Sequence, residues 1–201
     1  MQEMNTMSEQ PYINKIKGKL FNPDELHAIA KAVVGLERQV ACAQIVAELK
    51  RKYPDHIHDD LPWIFNNAGG AMGEMKILHV SLSEYIILFG TPIGTEGHSG
   101  RYNAEVFDFV FDGEMWCYHE GSLNRTLYKP GDAAYLKRKQ TKGYKIEDSA
   151  FMLEYARGRI PSMLRFGLAD TVYSTVDSRT FWGTIGRSGK LILAELLKGK
   201  V

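Results

Sequence analysis

The sequence predicts an α+β chain: a double-sheet β-roll with helices before it and two amphipathic helices after it. Apolar residues recur at helical spacing up to Pro54. Short runs with strand alternation then extend to about Gly158, and helical spacing returns from Pro161. At 201 residues the chain suits one domain with a core large enough to need no staples. The expected division is a mobile segment 1–21 and a single domain 22–201. Within that domain lie a helical front 22–53, a roll 62–158 and C-terminal helices 160–201.

Asn22 can cap a first helix, with Pro23 at its first position, Asp24 and Glu25 in its first turn, and Leu26, Ile29, Ala30 and Val33 along one face. Helical spacing resumes past Gly35 at Val40, Ile45, Val46 and Leu49 and stops at KRKYP, before Pro54. About six strands follow: KILHVSL, SEYIILFG, 102–111, EMWCYHEG, TLYKPGDAAYL and SAFMLEYARG. The LYKPGD turn, with FMLEYARG about twenty residues later, resembles a small double-sheet roll of the cupin type. Pro161 opens PSMLRFGLADTVYSTVDS, and RTFWGTIGRSGKLILAELLKGK makes the last helix.

Composition narrows the function classes. A net charge of +1 gives no general field for nucleic acid. The two cysteines, Cys42 and Cys117, lack CxxC partners and read as reduced residues of an intracellular chain. YIILF is the strongest apolar run and is strand-sized, so no spanning helix is expected. The first twenty residues hold no signal-peptide segment.

Several motifs are weak. DHIHDD offers His56 and His58 beside carboxylates, yet lies between Tyr-Pro and Leu-Pro and reads as a solvated turn. His79, His98 and His119 are dispersed and read as structural, so the pocket is expected to hold neither metal nor cofactor. NAGGAMG lacks the spacing of a phosphate or dinucleotide loop and suggests close backbone packing. Ser99 has no GxSxG elbow around it.

The carboxylates are more informative. In AFMLEYARG, alternation places Glu154 with Met152 and Ala156. In the aromatic strand, Asp108 shares a face with Ala104, Val106 and Val110, while Glu105 lies with Phe107, Phe109 and Phe111. An acid on an apolar face has its charged form disfavoured, and a second acid beside it disfavours double ionisation. Such a pair can hold a proton near neutral pH. The residues alone leave a second reading open, in which either acid pairs with Arg101, Arg157 or Arg159.

Four strings, NAGGAMG, LHVSLSEYIILFGTPIGTEGHSGRY, LEYARGRIPSML and LADTVYSTVD, resemble the family joining fungal sterol delta-8 to delta-7 isomerases with the sigma non-opioid receptor. The likeness runs in matching order from about Asn22 almost to the C-terminus. It implies a cupin-like barrel around an occluded pocket, C-terminal helices beside a membrane, and a homotrimer. It puts the principal ligand-pairing acid at Glu154, the receptor's second acid at Asp108, the isomerases' acid at Glu105, and the tyrosine that bonds the glutamate at Tyr85. Apolar wall positions fall on Met75, Ile77, Phe89, Val106, Ile146 and Leu164.

The chain departs from that pattern in three places. The N-terminal membrane anchor has no counterpart, Leu136 stands for a pocket histidine, and LKRKQTKGYK is more basic than expected. The implied activity is sterol or steroid double-bond isomerisation through a carbocation. The implied alternative is a non-catalytic module for hydrophobic amines, steroids or lipids. Without a spanning helix or a signal peptide, a cytoplasmic location is expected. The C-terminal helices combine Met163, Leu164, Phe166, Leu168, Trp182, Leu191, Ile192 and Leu196 with Arg165, Arg179, Arg187, Lys190 and Lys198. That mixture suits a membrane surface, and it also suits a stripe that seals the roll.

Overall fold

A computed structural model describes residues 18–200. Asn22 caps α1 (Pro23–Lys31) by accepting the Asp24 N–H, and Gly35, at φ +85°, turns the chain into α2 (Arg38–Lys52). Ten strands follow rather than about six: β1 (Ile64–Ala68), β2 (Ala71–Val80), β3 (Glu84–Thr91), β4 (Thr95–His98), β5 (Ala104–Gly113), β6 (Met115–His119), β7 (Thr126–Tyr128), β8 (Ala133–Leu136), β9 (Lys142–Ile146) and β10 (Ala150–Gly158). Helices α3 (Pro161–Tyr173) and α4 (Ser178–Leu197) end the chain.

The strands form two antiparallel sheets, of order β1-β2-β3-β10-β5-β8 and β4-β9-β6-β7. This is the expected double-sheet roll. Alternation in the larger sheet divides its apolar side chains between two cores. One face packs Phe107, Phe109, Leu153 and Tyr155 under Leu26, Ile45 and Leu49 of α1 and α2. The other turns Met75, Ile77, Phe89, Val106 and Met152 into the roll. Phe107 and Leu153 are fully buried, so truncating either to alanine should cost about 2–5 kcal/mol.

A bulge in β2 changes this alternation, because the register with β3 slips between Ile77 and His79. Ile77 and Val80 stay on the cavity side. Leu78 packs into the outer core, and His79 packs against the outer-core ring of Phe21.

Leu20 and Phe21, placed in the expected mobile segment, are held against the roll. Phe21 is buried, and the backbone N–H groups of Leu20 and Phe21 both donate to the fully buried carboxylate of Glu84. Lys200 and Tyr155 donate to the same carboxylate, so one acid joins both ends of the described chain. Residues 1–17 of that expectation lie outside the described residues.

Candidate functional site

The cavity lies inside the roll, beneath α3 and α4. The pairing of β5 with β10 sets Asp108 directly opposite Glu154. Side chains of such cross-strand partners share one face with Cβ atoms about 5 Å apart. Both line the cavity. Met75, Ile77, Tyr85, Phe89, Val106 and Leu164 line it too, all at positions that the resemblance implied. Ile146 packs in the same apolar core but does not reach the cavity wall.

Burial, and then the Asp108 carboxylate, push the Glu154 carboxyl up to about 8, against a smaller opposing pull from Tyr85 and Lys142. The Tyr85 hydroxyl donates to Glu154 Oε1. Burial, followed by the nearby Glu154 carboxylate, raises the Tyr85 phenol well above its usual range, so it remains a donor. Glu154 is thus a carboxylic acid near neutral pH, held by a phenol in an apolar wall.

Asp108 is compensated differently. Lys142, at the start of β9 in the opposite sheet, reaches across the roll and donates to Asp108 Oδ2, and both side chains are buried. Burial, the largest single influence, would lower the lysine, but Asp108, Cys117 and Glu154 together outweigh it and hold the ammonium above its usual range. The cavity therefore contains its own cation. Sequence reasoning missed Lys142, and also Tyr102 and Tyr144, which line the same space. Alternation in KGYKI would have put Lys142 and Tyr144 on one face, but the surrounding run of basic residues reads as solvated.

Glu105 is corrected. It lies on the other face of β5, where it accepts from Arg157 Nε at 2.8 Å and Tyr135 Oη at 2.5 Å. It does not line the cavity, and the arginine pairing left open in the sequence applies to this acid. His98 is structural: its Nδ1 accepts the Gly100 N–H at 2.9 Å and its Nε2 meets Thr141 Oγ1 at 3.0 Å. The Ser99 hydroxyl donates to the Gly100 carbonyl, receives the Lys142 N–H and meets the Thr141 hydroxyl at 3.3 Å, so no basic side chain among the described residues bonds it directly.

The helices close the mouth. Met163, Leu164, Phe166 and Leu168 of α3 point inward, as do Thr184 and Ser188 of α4. Much of the apolar stripe therefore seals the roll, Leu191 included. A different set faces outward: Tyr173, Val176, Trp182, Leu193 and Leu197 are exposed. No helix among the described residues is long and apolar enough to cross a membrane.

The family profile described as "ERG2 and Sigma1 receptor like protein" matches residues 5–200. C-8 sterol isomerase erg2 of Aspergillus fumigatus is 44% identical over 185 residues, 90% of this chain and 77% of that one. Sigma non-opioid intracellular receptor 1 of Xenopus tropicalis is 42% identical over 181 residues, 89% of this chain and 82% of that one. A solved RmlC-like cupin from Shewanella frigidimarina overlaps 51% of this chain and 94% of its own, at 12% identity and a TM-score of 0.42. The chain belongs to the family of ERG2 and sigma-1 receptor-like proteins.

Proposed function

We propose that the protein is a sterol or steroid double-bond isomerase of the delta-8 to delta-7 type, with Glu154 as its acid. The observation that carries this reading is a carboxyl pushed up to about 8 and set opposite a second carboxyl in an apolar cavity. Moving a ring double bond requires a proton on one alkene carbon, shelter for the cation left on the other, and loss of a proton from the next carbon. Glu154 donates the first proton. Its conjugate carboxylate, with that of Asp108, then stabilises the cation in a low-dielectric space.

Asp108, paired with Lys142, accepts the departing proton, and exchange with solvent restores the proton on its cross-strand neighbour Glu154. The cycle consumes no proton. Tyr85 positions Glu154, and Met75, Ile77, Phe89, Val106 and Leu164 hold the apolar rings.

A second reading is a non-catalytic module that binds hydrophobic amines, steroids or lipids. A buried carboxylate in an apolar pocket favours it, since an ammonium resembles the carbocation in charge. Lys142 weighs against amines, because it already occupies the cationic place beside Asp108.

We extend the proposal to location and assembly: the exposed apolar residues of α4 dock the protein on a membrane surface, and three copies assemble. Tyr173, Trp182 and Leu197 support docking, and Phe65, Met72 and Ile93 are apolar side chains left exposed on the roll. Incubating the protein, pre-equilibrated in deuterated buffer, with a panel of delta-8 sterols tests the chemistry. The expected result is a delta-7 product carrying deuterium, and none from Glu154→Gln. Unlabelled, unrearranged sterol throughout the panel would leave only the binding reading.

A further inference from the structure

We propose that His56, His79 and Glu195 form a divalent transition-metal site, best matched by zinc, that staples the end of α4 to the roll. One donor atom from each residue lies within 4.8 Å of the others. The site stands apart from the cavity, which none of the three lines.

His79 is the strongest part of the argument. The bulge in β2 packs it against Phe21 and away from the cavity, and it is fully buried. Its Nδ1 lies 2.9 Å from the His56 carbonyl oxygen, which can only accept. The proton therefore sits on Nδ1, and Nε2 presents a lone pair. That Nε2 is buried and has no hydrogen-bond partner among the described residues. A desolvated lone pair without a donor is costly, and an imidazole whose other nitrogen is fixed by a carbonyl is the arrangement that metal-bound histidines use.

His56 and Glu195 complete the set. His56 Nδ1 lies 2.6 Å from Glu195 Oε2, and Glu195 is fully buried. A metal ion would replace the proton between them and spread that contact to roughly 3.3 Å, the separation two ligands keep around a tetrahedral zinc. Two imidazoles and one carboxylate are a zinc or cobalt donor set, with further positions for water.

The His56 side chain is 25% exposed, which gives an ion a path from solvent. Lys198 Nζ sits on the other carboxylate oxygen, Oε1, at 2.8 Å, and also donates to the Asp55 carbonyl. It is a like charge, but at 37% exposure it can move toward solvent and leaves Oε2 available. The nearby His58, whose Nε2 is also buried without a partner among the described residues, is not part of the cluster. The consequence is mechanical. Thr184 and Ser188 of the same helix line the cavity mouth, so an ion at Glu195 would hold the closing helix in place.

The test uses the full, untagged chain dialysed against equimolar zinc or cobalt. One ion retained per chain and a raised unfolding temperature are expected, with retention lost in His79→Gln and in His56→Gln and kept in the control His119→Gln. No retention by the wild type, or retention unchanged in both ligand variants, overturns the site. Because either substitution could unfold the chain, zinc-edge X-ray absorption of the wild type gives a second measure. Two imidazoles with oxygen are expected, whereas a shell containing sulfur or lacking imidazole overturns it. Sterol turnover is not the readout, so failure here leaves the isomerase reading standing.

Discussion

A carboxyl group buried opposite a second carboxyl persists only with a proton or a cation beside it, and the two acids here are satisfied differently. Asp108 has Lys142, whereas Glu154 has a proton and the Tyr85 hydroxyl. Turnover should therefore fall as pH rises through about 8, where Glu154 loses that proton. A rate that rises through this window would contradict the assignment. Stability responds in the same window. Because the folded value of about 8 lies above the ordinary 4.5, the folded chain keeps a proton between those values that the unfolded chain has released. The contribution is full below pH 4.5 and is lost progressively toward pH 8. Denaturant titrations should show Glu154→Gln gaining on the wild type from pH 5 to pH 8, and a constant difference would refute the raised value.

Lys142→Met should leave Asp108 buried and unpaired, at a cost of about 3–5 kcal/mol. A lipophilic amine can then replace the lost cation. Calorimetry should show it binding the variant at least about tenfold tighter than the wild type, a gain of about 1.4 kcal/mol. Equal affinity would mean that Lys142 does not set the charge of the cavity. Glu154 and Asp108 were legible because an acid interrupts an apolar face and Tyr85 only through the family resemblance, whereas Lys142 was hidden in a basic run whose burial depends on a partner in the opposite sheet. Glu105 had the opposite history: alternation already separated it from Asp108, and the family resemblance alone brought it into the site.

At the scale of elements, the closing helices divide their apolar residues between cavity and solvent. Trp182, Leu193 and Leu197 of α4, with Tyr173 at the end of α3, are apolar side chains left exposed, the kind of residue that a membrane surface would cover. Flotation with anionic liposomes should capture the protein at low salt, and rising salt should release only part of it, since apolar insertion survives screening. Trp182→Ser with Leu197→Ser should abolish the salt-resistant fraction. Protein that stays wholly unbound to every vesicle type would end the membrane proposal.

The turn between β1 and β2 supports this cover from below. A Cβ at Gly69, which has φ +63°, would come within 2.2 Å of the His98 carbonyl oxygen and 2.5 Å of Phe166 Cζ. Close backbone packing was readable from NAGGAMG, but its contact with α3 was not. Long strands with strong alternation were readable as well. IFNNA, TEGH and KGYKI, now β1, β4 and β9, were not, because short polar strands owe their pairing to neighbours distant in sequence.

At the scale of the whole molecule, the fold encloses one pair of acids in a cavity. Helices α1 and α2 cover the outer face of the larger sheet, the smaller sheet delivers Lys142, and α3 and α4 close the mouth. The order of these layers followed from where periodicity changes along the chain, but the bulge that turns His79 outward left no trace in the pattern. Sedimentation at micromolar concentration should give three times the 22.7 kDa chain mass, and a monomer at all concentrations would remove the trimer.

The account rests most directly on Glu154 being a protonated acid at neutral pH. Infrared difference spectroscopy between wild type and Glu154→Gln, recorded from pH 4 to pH 9, reads that proton through the carbonyl stretch of the un-ionised carboxyl. The account predicts a band present at pH 7 and lost with a midpoint near 8. A band lost near the ordinary carboxylate value of 4.5, or absent at every pH, would contradict it.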